Sequence, residues 1–364
     1  MGILHLVGAK VWGGGEQYVY NVCQEEQRRG RRVFVVVDHR QTAMAQKYAA
    51  VATVYPASLS SILGLAALQA LRQYIIEQEI TVINCHSGQL AFLCALLKKF
   101  CPSLRFIMFR HNLLPNKTDC YHLWLQRQID AFICVSQAVY ALQLATIHPS
   151  VRQKVWLVHS GIDTTAFDKY SRARFAHSGY VLGYAGRLIG NKGVLVLLEA
   201  LETLLKTHGE FTLQLAGTAD KGFMPVLVAY LQEHHLEERV QLLGLQNDME
   251  AFYKAIDVLI LPSLVPEAFG LVICEALYCA TPVITTNSGA QEEIITQGKN
   301  GLIVPPGEVK ALCQAIEKLY TDQAFSIKLV AEGEKTVKTK FTISQCVTGI
   351  EQVVATCRKV KEQS

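Results

Sequence analysis

Two glutamates stand in one of the most apolar stretches of the chain, PEAFGLVICEAL at residues 266–277. Glu275 lies between Cys274 and Ala276, and Glu267 begins the same run. A carboxylate among such neighbours is costly to bury unless something takes its charge or its hydrogen bonds. By themselves the two would describe a helix with one polar edge. Upstream, in AGRLIGNKG, Arg187 and Lys192 flank Gly190, directly before the helical pattern VLVLLEALETLL. Cations at a helix N-terminus oppose its dipole unless an anion is present. A diphosphate accounts for both, with Arg giving forked hydrogen bonds and Lys a point charge. Solvated cations on a surface loop are the competing reading.

Other loops carry similar potential. In GAKVWGGGEQ, Gly13, Gly14 and Gly15 allow close backbone approach, and Glu16 opens a helix whose free N–H groups favour an anion. This is neither G-x-G-x-x-G nor a Walker A sequence. Phe269, Gly270 and Leu271 begin the helix that carries Glu275, which leaves Glu267 in the loop before it. Glu293, in SGAQEEIITQGKNG, follows a glycine turn, where a plain surface helix is an equal reading. His86 in NCHSG and His111 in FRHN both follow strand-like runs. A lone histidine is more often structural, but two at strand ends facing one cleft point to a site.

The elements that must hold these residues alternate regularly. ILHLVG, RVFVVV, ATVY, TVINC, RFIMF, AFICV and VWLV read as strands, separated by helical patterns such as EQYVYNVCQEEQRRG and SILGLAALQALRQYIIEQE. The polar run GIDTTAFDKYSRARFAHSG breaks the rhythm, which resumes at YVLGYAG, FTLQLAG, RVQLLG, DVLILP, TPVITT and GLIVP. Such alternation predicts an α/β protein of two doubly wound domains, at 1–162 and 180–342, joined by a linker at 163–179. A final helix at 343–361 has no following strand and is expected to pack back onto the first domain. Ligands of such sheets sit at the carboxyl ends of the strands, at the switch point.

Bulk properties narrow the class. Half of the 364 residues are hydrophobic and 18% are charged, which fits a well-packed enzyme and argues against disorder. No apolar run reaches the length of a membrane span, and the N-terminus lacks the marks of a signal peptide. Gly2 after Met1 suggests myristoylation only until 3–6 are read as a buried strand. Eleven cysteines with no C-x-x-C read as free thiols of a reducing, cytoplasmic compartment. Residues 1–160 hold 16 Lys and Arg against 8 Asp and Glu, and the remainder 19 against 23. The basic first half suits an anionic acceptor or the inner face of a membrane. Its cluster Arg28, Arg29, Arg31, Arg32 equally suits a solvated face.

The order GGGE, GRLIGNKG, PSLVPEAFGLVICEAL, TPVIT, GLIVPPG resembles the retaining GT-B glycosyltransferases of family 4 across nearly the whole chain. Its most specific part is the E-x7-E element from Glu267 to Glu275. The resemblance implies two Rossmann-like domains facing a central cleft and a nucleotide-diphosphate sugar, UDP- or GDP-linked, as donor substrate, with no cofactor. It implies that Arg187 and Lys192 hold the diphosphate, helped by the backbone of Gly14 or Gly15. Glu267 and the backbone of Phe269, Gly270 and Leu271 would contact the sugar, and Glu275 the ribose, whose hydroxyls would satisfy these carboxylates. The loop at Gly244 would meet the base, and His111 the reacting sugar and acceptor. Ser160 stands where the family usually has Asn, and Glu292 where Pro is common. No D-x-D occurs, so the charge on the leaving diphosphate falls to Arg187, Lys192 and helix N-termini, without a metal. No carboxylate pair at a strand tip supplies a double-displacement nucleophile, which favours front-face retention. The acceptor is expected to be a glycan or a lipid-linked molecule in envelope polysaccharide or lipopolysaccharide assembly, with peripheral membrane contact and no nucleic acid. A nonhydrolysing sugar-nucleotide epimerase and a non-catalytic sugar-nucleotide-binding protein are the rival readings.

Overall fold

The computed structural model describes residues 1–58, 65–170 and 178–362. The chain divides into two compact units, Met1–Gly161 with Ile343–Ser364, and Ile162–Thr342. Among the described residues the first unit holds a seven-stranded sheet: β1 (Gly2–Leu6), β2 (Arg32–Asp38), β3 (Thr53–Ala57), β4 (Ile80–Cys85), β5 (Arg105–Arg110), β6 (Ala131–Cys134) and β7 (Val155–Leu157). All pairs are parallel, in the order β3-β2-β1-β4-β5-β6-β7. Strands such as β2 are unbroken apolar runs because helices cover both faces of a parallel sheet. The winding reverses between β1 and β4, which opens a crevice beyond their carboxyl ends.

The second unit repeats the plan with six strands: β8 (Tyr180–Ala185), β9 (Phe211–Ala216), β10 (Val240–Gly244), β11 (Val258–Leu261), β12 (Val283–Thr286) and β13 (Leu302–Val304). Their order, β10-β9-β8-β11-β12-β13, reverses between β8 and β11. The helix Val194–Leu205 buries Val194, Leu197, Leu198, Leu201 and Leu204 in one core with Phe211, Leu213 and Leu215. Each such side chain contributes roughly 1.5–3 kcal/mol of hydrophobic stabilisation. That core fixes the loop between β8 and the helix, where Arg187 and Lys192 lie. The chain is thus α/β, with two doubly wound parallel sheets.

Two segments have specific anchors. The C-terminal helix Ile343–Glu362 belongs to the first unit, where Arg29 and Arg31 both bond Glu351, at 2.9 and 2.8 Å. Arg29 also bonds Glu25, Ser344 and Thr348, while Arg32 pairs with Glu79. Half of the basic cluster, Arg29 and Arg31, is therefore a clamp on that helix, while Arg28 and Arg32 pair elsewhere. After Gly161, Thr164–Phe167 forms a 3-10 turn, and Glu250 accepts hydrogen bonds from the N–H groups of Lys169 and Tyr170. This part of the expected linker packs within the second unit, while residues 171–177 lie outside the described residues. So does the start of the expected helical stretch, at 61–64; the described helix there is Leu65–Glu77. All eleven cysteines are free thiols. Among the described residues, no helix is long and apolar enough to cross a membrane.

Candidate functional site

In the second unit, two loops at the switch point are stitched together. Gly193, at φ +72°, closes the loop after β8, and a Cβ there would lie 1.9 Å from the Pro262 carbonyl oxygen. Only glycine permits that approach. The Leu264 N–H donates to Asn191 O at 3.0 Å, so the loop after β11 follows the first loop. The result brings Lys192 Nζ to 2.6 Å from Glu267 Oε1, with both side chains largely shielded. Ser263 Oγ donates to the same oxygen. Glu267 is pinned through its backbone as well, its N–H donating to Ser288 O and its carbonyl accepting from Ala290 N–H. Gly289, at φ +80°, makes this possible, because a Cβ would meet Glu267 O at 2.4 Å.

Arg187 is exposed and its guanidinium has no ion pair among the described residues. Its carbonyl accepts from the Tyr184 hydroxyl at 2.8 Å. Burial, then the negative charge of Glu267, push that hydroxyl above its usual range, while Arg187 pulls it down. Arg187 and Glu267 thus act on one buried phenol at the end of β8. The two expected cations are not equivalent: Lys192 is neutralised by Glu267, and Arg187 is not.

Glu275 lies inside the helix Leu271–Tyr278, which Gly270 begins and no side chain caps. It is buried, and Tyr253 donates its hydroxyl to Oε2 at 2.7 Å. Burial pushes the Glu275 carboxyl up to about 6, against the opposing pull of that hydrogen bond. Oε1 has no partner among the described residues. Sequence reasoning expected substrate hydroxyls to satisfy both glutamates; the fold already gives Lys192 and Ser263 to one and Tyr253 to one oxygen of the other. Phe269 is buried, its ring 5.7 Å from that of Phe341, so its side chain is core and only its backbone faces the loop. Leu271 is half-buried in the first helical turn. Gly244 ends β10, its carbonyl accepting from Gly217 N–H at 2.8 Å. Glu293 is half-buried in the short helix Gln291–Ile294.

The first unit has its own cavity, of about 660 Å³, lined by Gly15, Glu16, His86, Arg110, His111 and Lys117 among others. It lies beyond the carboxyl ends of β1, β4 and β5, at the crevice set by the winding. The helix beside it begins at Gly14, ahead of the expected start at Glu16, with Gly13 as its cap. Gly14 and Gly15 have open space where a side chain would be. His86 Nδ1 lies 2.9 Å from His111 Nε2, so the two strand-end histidines do meet. Burial, and then Arg110, lower His111 to about 4; burial, His111 and His5 hold His86 well below its usual value. The Arg110 Nε is buried without a partner, and the same side chain donates to Leu114 O at 2.9 Å. Ser263, Tyr253 and Tyr184 were not found from sequence, since nothing in their surroundings marks them as neighbours of the glutamates.

Comparison with known proteins accords with this arrangement. Residues 12–166 match Glycosyltransferase Family 4, and residues 168–336 match Glycosyl transferases group 1. An uncharacterised glycosyltransferase of Methanocaldococcus jannaschii is 26% identical over 72% of this chain and 71% of its own length. A lipopolysaccharide core biosynthesis mannosyltransferase of Rhizobium leguminosarum bv. viciae is 29% identical over 60% of this chain and 61% of its own. In fold, the chain superposes on Anabaena HepE, solved in complex with UDP and glucose, with a TM-score of 0.80, covering 97% of this chain and 99% of HepE at 20% identity. With a family 4 first half and a group 1 second half on two doubly wound sheets, the chain belongs to the family 4-like glycosyltransferases of GT-B fold.

Proposed function

We propose that this chain is a retaining glycosyltransferase that moves a hexose from a nucleotide-diphosphate donor, UDP- or GDP-linked, to a hydroxyl of a glycan or lipid-linked acceptor. The observation that carries the reading is the uncompensated Arg187 guanidinium beside the Lys192–Glu267 pair. Departure of the diphosphate builds negative charge, and a fixed cation with no internal partner is suited to meet it. Lys192, shared with Glu267, adds a second positive end and holds the carboxylate in place for sugar hydroxyls. Oε1 of Glu275 is available to a ribose hydroxyl, while Tyr253 occupies the other oxygen. These groups do the electrostatic work without a metal, and the departing phosphate takes the acceptor proton on the same face. His111 and Gly15 line the cavity of the first unit, where the acceptor is taken to bind. Arg110 and Lys117 there have no carboxylate partner among the described residues, which suits an acceptor bearing an anionic group. The relative in lipopolysaccharide core synthesis supports a role in polysaccharide or lipopolysaccharide assembly, and the UDP and glucose bound by HepE support a nucleotide-sugar donor.

The test is a panel of nucleotide sugars screened by thermal shift, followed by transfer assays with the hits. A donor that stabilises the protein and yields a product with unchanged anomeric configuration by proton NMR is the expected result. An inverted product refutes retention. Isomerisation of the donor alone, with no acceptor, would identify an epimerase instead.

A further inference from the structure

Across the first sheet, one glutamate and three histidines form a single hydrogen-bonded file. Glu26 Oε2 lies 2.8 Å from His5 Nε2, His5 Nδ1 lies 2.9 Å from His86 Nε2, and His86 Nδ1 lies 2.9 Å from His111 Nε2. His5 sits in β1, while His86 and His111 directly follow β4 and β5, so three adjacent strands supply the three rings. The planes of His5 and His86 differ by 7°, and those of His86 and His111 by 25°, which keeps the N–H groups aimed along the file. His5 and Glu26 are 0% and 1% exposed. At the other end, His111 lines the cavity, and its Nδ1 is the one ring nitrogen of the file without a partner among the described residues.

Each nitrogen–nitrogen contact holds one proton, so the state of one end fixes the other. The Glu26 carboxylate only accepts, and His5 donates to it through Nε2. With His5 neutral, its Nδ1 accepts from His86 Nε2–H, His86 Nδ1 accepts from His111 Nε2–H, and His111 Nδ1 is a bare lone pair. With His5 as imidazolium, both inner bonds reverse. His5 Nδ1–H then donates to His86, His86 Nδ1–H donates to His111, and His111 carries its proton on Nδ1. The two arrangements differ by one proton, which enters or leaves at His111 Nδ1 while the charge settles beside Glu26.

The surroundings favour the second arrangement. Burial alone would lower His5, but Cys23 and Glu26 outweigh it and raise it to about 10. Burial keeps the Tyr18 hydroxyl protonated and raises the Cys23 thiol, while the charge and hydrogen bond of His5 lower that thiol. Tyr18 meets the His111 ring edge-on at 5.1 Å, Phe109 packs against both His86 and His111, and Arg110 adds repulsion against a charge on His111. Glu16 and Lys117 line the cavity itself.

We propose that Glu26 and His5 are positioning residues that act through His86 to present His111 as a neutral Nδ1–H donor to a substrate oxygen in the cavity. The buried His5–Glu26 pair stores the proton that His111 exchanges. The substrate side of this assignment rests on the function proposed above; the proton positions do not.

The test is nitrogen-15 NMR of the full chain labelled at histidine, with signals assigned through single His→Asn variants. At neutral pH, wild type is expected to show His111 neutral with its proton on Nδ1, and His5 as imidazolium. A neutral His5 with His111 protonated on Nε2 overturns the proposal, whether or not a donor has been identified. In Glu26→Gln the His5 imidazolium signal should vanish at neutral pH. With an identified donor, kcat of that variant should fall by an order of magnitude or more at little change in donor KM, and its pH profile should shift. A folded Glu26→Gln protein with wild-type kcat and pH profile also overturns it. If that variant does not fold, the wild-type spectrum decides.

Discussion

Lys192 Nζ stands 2.6 Å from Glu267 Oε1, joining a loop after β8 to a loop after β11. The pair separates two cations that look alike in sequence. Lys192 is part of the architecture of its unit, whereas Arg187 is held by its backbone and leaves its charge free.

Arg187→Ala and Lys192→Ala should therefore differ. Arg187→Ala removes an exposed side chain with no internal partner, so Tm should stay near wild type while kcat falls by about 10²–10³. Lys192→Ala strands a shielded carboxylate, and should cost about 1–3 kcal/mol of stability in addition to turnover. Calorimetry and steady-state kinetics on both variants check this. Wild-type kcat for Arg187→Ala at saturating donor would remove the guanidinium from the reaction.

Glu275 predicts a pH dependence of donor binding. Its carboxyl is raised to about 6 in the folded chain, so across the window from the usual carboxylate range up to that value the folded state holds the extra proton. The group's contribution to stability is full below the window and is lost as pH rises through about 6. Donor binding should run the other way, because ribose hydroxyls donate to the ionised form. Affinity for a nucleotide sugar, whose diester phosphates stay ionised throughout, should rise roughly tenfold from about pH 5 to about pH 7. Glu275→Gln should flatten that rise in titration calorimetry; an unchanged slope would separate Glu275 from the ribose.

Gly193→Ala should act as a local wedge. A methyl 1.9 Å from Pro262 O cannot be accommodated without moving the loop, and the left-handed backbone adds strain. A loss of about 2 kcal/mol or more, seen as a Tm drop on the order of 5 °C, is expected together with weakened donor binding. Gly209→Ala, where a Cβ meets open space, serves as the control.

Transfer should persist in excess chelator if, as proposed, Arg187 and Lys192 provide the positive charge that a metal would otherwise bring to the diphosphate. Loss of activity under chelation, restored by magnesium or manganese, would overturn this assignment.

The strands were legible in the sequence because parallel strands covered on both faces are unbroken apolar runs, and RVFVVV, RFIMF and DVLILP all proved to be strands. Arg187, Lys192, Glu267 and Glu275 were legible as charges out of place at strand and helix ends. Their partners were not, since Tyr253 reads as an ordinary aromatic of an amphipathic helix and Ser263 as a loop residue. His5 and Glu26 were hidden most completely, one inside a strand and the other in a helix rich in Glu and Gln. The role of Arg29 and Arg31 was invisible for a different reason. Their partner Glu351 lies more than 300 residues away, beyond the reach of any local pattern.

The return of the helix Ile343–Glu362 to the first unit sets an order of completion during synthesis. The first unit's sheet leaves the ribosome early, yet Arg29 and Arg31 must wait for Glu351, and Tyr18 for Cys346. The second unit, by contrast, is one continuous segment whose ends meet, Ile162 N–H donating to Phe341 O at 2.9 Å. It can therefore close while the unit that began first is still unfinished. Until the last helix is made, the nascent first unit exposes the apolar strip that Val347, Ile350 and Val354 will cover.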